Sequence, residues 1–164
     1  MLQGRKLYIQ FVVDDNRFVL SAADVVGVVP LATLHDVPHA PDYVAGILNY
    51  HNMSVPVIDL TQLMAGTKTE YRLSARIVLL KIQLSGQSTS VVGLLAEKVT
   101  EVIRIHENEF KKSGVKNSDA KYLGDVITDN SGMLQRLNVL EILPESAKKM
   151  LFENVEARES LTTN

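Results

Sequence analysis

Short apolar runs recur along most of this chain, separated by clusters of Gly, Asn, Asp and Ser. Leu7 to Val13 is rich in β-branched and aromatic residues and reads as a strand, with Asp14-Asp15-Asn16 as a turn and Arg17 to Leu20 as its hairpin return. Ser21 is placed to cap a helical turn through Ala22-Ala23-Asp24, after which Val25 to Val29 extends to Pro30. Leu31 to Ala40 reads as a loop. Pro41 then sits at a first helical position, and the spacing of Tyr43, Ile47 and Tyr50 predicts a short helix over 43–50. Met53 to Ile58 predicts a strand that Pro56, lacking an N–H, confines to an edge or a bulge.

Thr61 is positioned to cap one turn through Leu63 and Met64, and residues 65–74 form a polar connection. Residues 76–84 and 90–96 are two of the clearest strands, joined by the turn 85–88, and Thr100 to Ile105 continues as strand or as the end of a long bent one. His106 to Lys121 is polar and reads as a mobile loop. Residues 122–128 and 133–139 form a hairpin around Asp129 to Gly132, and Pro144 opens a helix running to about Ala157. Many short strands with brief helices favour barrels over a βαβ sheet, and roughly ten strands are more than one small barrel uses. The expectation is one domain over residues 1–164 built of two small barrels. The divide is expected at 70–74, with the N-terminal strand a candidate to be shared, and a C-terminal helix at 144–157.

Composition narrows the function classes. The chain has 164 residues, 46% hydrophobic and 22% charged, as in ordinary globular proteins. It contains no cysteine, so disulfides and thiolate chemistry are excluded. Net charge is −2 and no basic stripe appears, which argues against a nucleic-acid partner. The start MLQGRKLYIQFVV lacks a signal-peptide core, and no window approaches the ~20 apolar residues of a membrane span, so a cytoplasmic protein without direct membrane insertion is expected.

Candidate chemistry is thin. His35, His39, His51 and Asp59 could supply a metal-dependent hydrolase, yet Pro38 disrupts the helical spacing of the first two and no HExxH glutamate accompanies them. Glu97 and Glu101 fit solvated strand charges better than an acid/base pair. Asp59, after an apolar strand, is suited to bonding backbone N–H groups or capping the turn at Thr61. Lys111, Lys112 and Lys116 read as a solvated loop, and Met150, Leu151 and Val155 as the docking stripe of the last helix. No nucleophile elbow, P-loop or dinucleotide fingerprint occurs. The apolar wealth of Val25 to Val29 and Val55 to Ile58 exceeds what two small cores require, pointing to a binding module with no catalytic residue, metal or cofactor.

Val37 to Pro41 (VPHAP), Asp42 to Gly46 (DYVAG), Ile47-Leu48-Asn49 and Val55 to Leu60 (VPVIDL) together resemble the central signature of CheW-type chemotaxis coupling proteins. Val91 to Glu97 with Val99 to Ile103 resembles the family's later strand pair, and Tyr122 to Leu143 its closing segment. The resemblance implies a mainly β fold of two five-stranded SH3-like barrels on a shared core. It also implies a non-enzymatic adaptor that binds the regulatory domain of a CheA-type histidine kinase and the cytoplasmic tip of methyl-accepting chemoreceptors, recruited to membrane-associated arrays. The residues it singles out are Val25, Gly27, Val28, His51, Asn52 and Val99, lining or flanking a groove for the receptor's helical hairpin. His51-Asn52 stands where the family has Arg-Gly, and Gly27 where many relatives carry glutamate. These departures imply altered partner choice, and Tyr50, Leu73-Ser74, Tyr122 to Gly124 and Leu143-Pro144 resemble coupling proteins of alternative pathways, such as surface-sensing systems that control a cyclic dinucleotide. A structural antagonist that binds kinase without coupling it is the second family reading.

Overall fold

A computed structural model describes residues 4–83, 89–114, 121–146 and 148–149, the Thr100 side chain excepted. Nine strands dominate: β1 Arg5–Val13, β2 Asn16–Ser21, β3 Val25–Pro30, β4 Val44–Tyr50, β5 Met53–Asp59, β6 Arg76–Gln83, β7 Thr89–His106, β8 Leu123–Asp129 and β9 Gly132–Leu137. The α-helices are short, α1 Leu60–Ala65 and α2 Val139–Ile142, with 3-10 turns at Ala22–Asp24 and Glu107–Glu109. The fold is mainly β, as expected.

The strands form two five-membered sheets that share β7. One has the order β3-β6-β7-β5-β4, and the other β7-β1-β2-β9-β8. The connection at 70–74 joins β5 and α1 to β6 within one sheet, and the change of sheet falls inside β7. Residues 89–96 of β7 pair with β6 or β5, whereas Glu97 and residues 101–106 pair with β1. At the handover Lys98 adopts φ 48, and the register advances from Glu97 to Glu101 while β1 steps only from Val12 to Gln10. Such a bulge turns a strand, which is how one continuous segment serves two differently oriented sheets.

Alternation along the strands feeds separate apolar clusters. Ile77 and Leu79 of β6 join Leu48, Val55, Val57 and Leu95 inside the first sheet. Their neighbours Val78, Leu80 and Ile82 point the other way, into the large shared cluster with Phe11, Phe18, Ile58 and Leu94. In the second sheet Tyr8 and Val19 enclose a third cluster with Ile105 and Leu134, while Ile9, Phe11 and Leu20 face the shared one. Both faces of the central strands are thus dry, which explains apolar runs with little polar alternation. Val55, Val57 and Ile58, expected to exceed the needs of the cores, are fully consumed by them.

The segment 43–50 is strand β4, not a helix. It pairs Asn49 with Ser54 and Tyr50 with Met53, leaving His51 and Asn52 as a two-residue loop. Both have positive φ, 47 and 64, as the type I′ turn of a tight hairpin requires. Gly46 (φ 143) lies so close to the carbonyl of His35 that a Cβ would stand 2.8 Å from its oxygen. The helical spacing of Tyr43, Ile47 and Tyr50 is not realised: Gly46 and Leu48 are buried on one face of β4, and Ile47 between them points to the other. Pairing overrides it.

Pro56 lies in the part of β5 paired only with β4, since the β7 ladder begins at Val57, so its missing donor goes unneeded. Ser21 caps the first 3-10 turn as expected, accepting from Ala23 N. The cap of α1 is Asp59, not Thr61. The buried Asp59 carboxylate accepts from Gln62 N at 3.1 Å, Thr69 N at 3.0 Å and Thr69 Oγ1 at 2.5 Å, tying both ends of the α1 turn together. Beyond α2, residues 145–146 and 148–149 are helical, and the rest of the expected 144–157 helix, with Met150, Leu151 and Val155, lies outside the described residues. So do Lys116 and the 85–88 turn.

Asp59→Asn keeps the volume but replaces an acceptor-only group with one that also presents donors. The substitution is expected to lower unfolding free energy by about 1–3 kcal/mol in urea titration. An unchanged midpoint would assign the hold on α1 to apolar packing alone.

Candidate partner surface

β3 pairs on one side only among the described residues, with β6, and its exposure alternates along its length. Val25 leans on the shared cluster and Val29 on the first-sheet cluster, so both act as backing. Val26 and Val28, 40% and 43% exposed, are presented to solvent. Val28 pairs with Val78, and Val78 with Leu94, so all three share one face of the ladder. That face carries the shared cluster, and Val28 stands at its open rim. Val99, just past the handover in β7, packs partly buried on the same cluster and donates its N–H to Ser74 O at 3.3 Å.

The remaining predicted residues gather elsewhere. The parallel register Val57 to Gly93 puts the His51–Asn52 loop at the Thr89 end of the first sheet, away from Val99. Gly27 lies beside it: a Cβ there would be 3.2 Å from Tyr50 Oη. The Tyr50 ring meets the His51 imidazole edge-on, with centroids 4.3 Å apart. The six predicted residues are therefore not one cluster: Val25 and Val99 pack on the shared cluster, Val28 is exposed on the face that bears it, and Gly27 lies by the Tyr50 that adjoins His51 and Asn52. Tyr50 is the member that sequence reasoning left out of the site, and Val26 the exposed neighbour it passed over. The signal for Val26 was the alternation itself, since an inward Val25 turns its neighbour out.

The hydrolase set does not assemble. Asp59 is committed to α1 and Thr69, His35 forms a backbone bridge with Ile47, His39 sits in a separate turn at φ 61, and His51 is at the hairpin tip. Among the described residues no group of three or more His, Cys, Asp or Glu is placed to hold a metal ion. Glu97 accepts a hydrogen bond from Glu70 N at 3.2 Å and does not pair with Glu101 for proton transfer.

A cleft of about 520 Å³ opens between the sheets, lined by Lys6, Tyr8, Lys81, Glu107, Arg136 and Leu140 among others. Glu107, in the segment expected to be a mobile loop, is a latch. It accepts from Tyr8 Oη at 2.5 Å and from Arg136 Nη2 at 2.8 Å, while Lys6 Nζ stands 3.6 Å away. The Arg136 guanidinium lies 3.8 Å from the Phe110 ring centroid and also donates to Tyr8 Oη at 2.7 Å. Lys111 closes the edge by exchanging backbone bonds with Val126 of 2.9 and 2.8 Å. The first part of the 106–121 segment is thereby fastened to the second sheet. The hydrogen bond from Tyr8, then that from Arg136, holds the Glu107 carboxyl down from 4.5 to about 2. Burial, then the bond to Glu107, pushes the Tyr8 phenol up to about 12.

Known proteins supply the comparison. The CheW-like domain family matches residues 7–147. Chemotaxis protein CheW of Thermotoga maritima is 21% identical over 141 residues, covering 86% of this chain and 89% of its own length. The probable chemotaxis protein CheW of Rhizobium etli is 26% identical over 120 residues, covering 71% of this chain and 72% of its own. The crystal structure of the scaffolding protein TtCheW from Thermoanaerobacter tengcongensis shares the fold with a TM-score of 0.73 at 24% identity, over 87% of this chain and 90% of that one. No helix among the described residues is long and apolar enough to cross a membrane.

The latch has a pH signature. A depressed carboxyl contributes stability that is complete above its ordinary value and vanishes as pH falls through its folded one, so the Glu107 contribution is lost between 4.5 and about 2. Glu107→Gln is therefore expected to destabilise at pH 7 and to converge with wild type near pH 2. A difference that persisted unchanged to pH 2 would place the effect in packing and not in charge.

Proposed function

The chain belongs to the CheW-like domain family, and from that premise we propose that it is a non-enzymatic adaptor coupling methyl-accepting chemoreceptors to a CheA-type histidine kinase. The observation that carries the reading is the exposed Val28, on the ladder face that bears the shared cluster. An apolar ridge continuous with a dry core offers an apolar helix face a place to bury area without reordering the adaptor. The receptor tip, a helical hairpin, would lie along that ridge. The kinase's regulatory domain would meet the sheet ends and the one-sided edge of β3.

Coupling then needs no chemistry in the adaptor. A bridge transmits signal when two receptor states bind it with different geometry or affinity, and the kinase equilibrium shifts by that difference alone. The protein would work in the cytoplasm at receptor arrays. His51 and Asn52 in place of Arg-Gly favour a pathway with its own receptor and kinase.

Calorimetry of the full chain against the regulatory domain of its CheA-type kinase is expected to give a saturable one-to-one heat. Against a soluble receptor-tip fragment, Val28→Lys should weaken binding roughly tenfold or more. Unfolding free energy should change by no more than about 1 kcal/mol, because the side chain is half exposed. No heat with either partner would overturn the adaptor reading, and full receptor affinity in Val28→Lys would move the receptor surface off the rim.

A further inference from the structure

The hairpin tip is built on an absence. Gly27 and Tyr50 belong to the two outer strands of the first sheet, β3 and β4, which do not hydrogen-bond to each other in the strand order. The nearest heavy atom to the position a Cβ of residue 27 would take is Tyr50 Oη, at 3.2 Å. The next, Leu79 Cδ1 and Tyr50 Cζ, are both at the ordinary contact distance of 3.9 Å. The phenol therefore reaches across from one outer strand and seats its hydroxyl on the bare backbone of the other. Its ring is half buried, packed on the cluster that includes Leu48, Val55 and Leu79.

The same ring supports the exposed tip. The His51 imidazole stands against it at 4.3 Å and 73°. The backbone beneath is held at φ 47 and 64 by the two-residue turn, so it has little freedom to compensate if the ring moves. An exposed imidazole would otherwise sample several rotamers.

We infer that Gly27 is a positioning residue for the partner surface. By carrying no side chain it leaves the seat occupied by the Tyr50 hydroxyl, and Tyr50 in turn sets the direction in which His51 offers its imidazole to the partner. The functional half of this inference rests on the adaptor reading, and the positional half stands on the isolated protein. It makes positions 27, 50 and 51 one specificity unit. A methyl at 27 would stand 3.2 Å from the phenol oxygen, so the ring must give by a few tenths of an ångström, and the imidazole that stands against it shifts with it. The order of dependence runs from 27 to 50 to 51, although residue 27 itself touches no partner.

Three variants of the full chain separate the steps: Gly27→Ala, Tyr50→Phe and the two combined. The added methyl conflicts with one atom, the hydroxyl oxygen, and Tyr50→Phe removes that atom. Side-chain NMR of His51, assigned with His51→Gln, is expected to shift in Gly27→Ala and to return toward the wild-type position in the double variant. Calorimetry is expected to show the kinase regulatory domain, which meets the sheet ends, bound roughly tenfold more weakly by Gly27→Ala, with most of the loss recovered in the double variant and the receptor-tip fragment bound as before. Urea titration on each variant separates this from a general loss of stability.

An unmoved His51 resonance in Gly27→Ala would overturn the positional claim. A moved resonance with unchanged affinity for the kinase regulatory domain would overturn the specificity claim. If wild type bound neither partner, the adaptor reading would fall and the functional half with it, while the NMR result would still decide the positional half. A loss in Gly27→Ala that Tyr50→Phe failed to relieve would also count against the unit, because the steric conflict lies with that single oxygen.

Discussion

β7 hydrogen-bonds to β6 and β5 along its first half and to β1 along its second. No loop could replace it, because the shared cluster is walled by residues from both halves of the molecule. The bend is made by Lys98 in a left-handed conformation and a slipped register, so strain is accepted at one exposed residue in exchange for an unbroken ladder on either side. A rigid bent spine of this kind suits a bridge between two partners, since displacement at one sheet is felt at the other through packed side chains and not through a hinge.

The surface features are arranged around that spine. The exposed rim at Val28 is the continuation of the ladder row that runs through Val78 and Leu94. The corner at His51 is carried by the β4–β5 hairpin of the same sheet, on a two-residue turn, with the Tyr50 hydroxyl near the backbone of Gly27. On the second sheet the Glu107 latch clamps the segment after β7 against Tyr8 and Arg136. At the Tyr50 corner and at the Glu107 latch, an aromatic or polar group at a sheet end meets partners on a different strand. The ends are thereby stiffened where hydrogen bonding between strands runs out, and stiff ends lower the ordering cost of binding.

Much of the fold was legible from residue order. The hairpins β1–β2 and β8–β9, the edge placement of Pro56, the Ser21 cap and the local duty of Asp59 all follow from turn chemistry and side-chain inventory that act over a few residues. The family signature carried the mainly β fold and the candidate surface. What misled was periodicity in a short run. Tyr43, Ile47 and Tyr50 satisfy a helical spacing, and only pairing with β5 and the close approach of His35 to Gly46 decide for a strand.

The sequence by itself determined which residues are apolar, where the tight turns fall, and that no cysteine chemistry is available. It also put forward candidates for the partner surface, without Tyr50 or Val26. Only the tertiary structure decided that β7 is the shared strand and that Val28 looks outward while Val25 and Val29 serve as backing. It alone decided that Val99 and His51 lie at opposite ends of a sheet, and that Gly27 and Tyr50 touch across 22 intervening residues. The physical reason is range. Turn and cap preferences are settled by neighbours in the chain, whereas facing, register and contact between sheet edges are settled by what the whole set of strands can bury together.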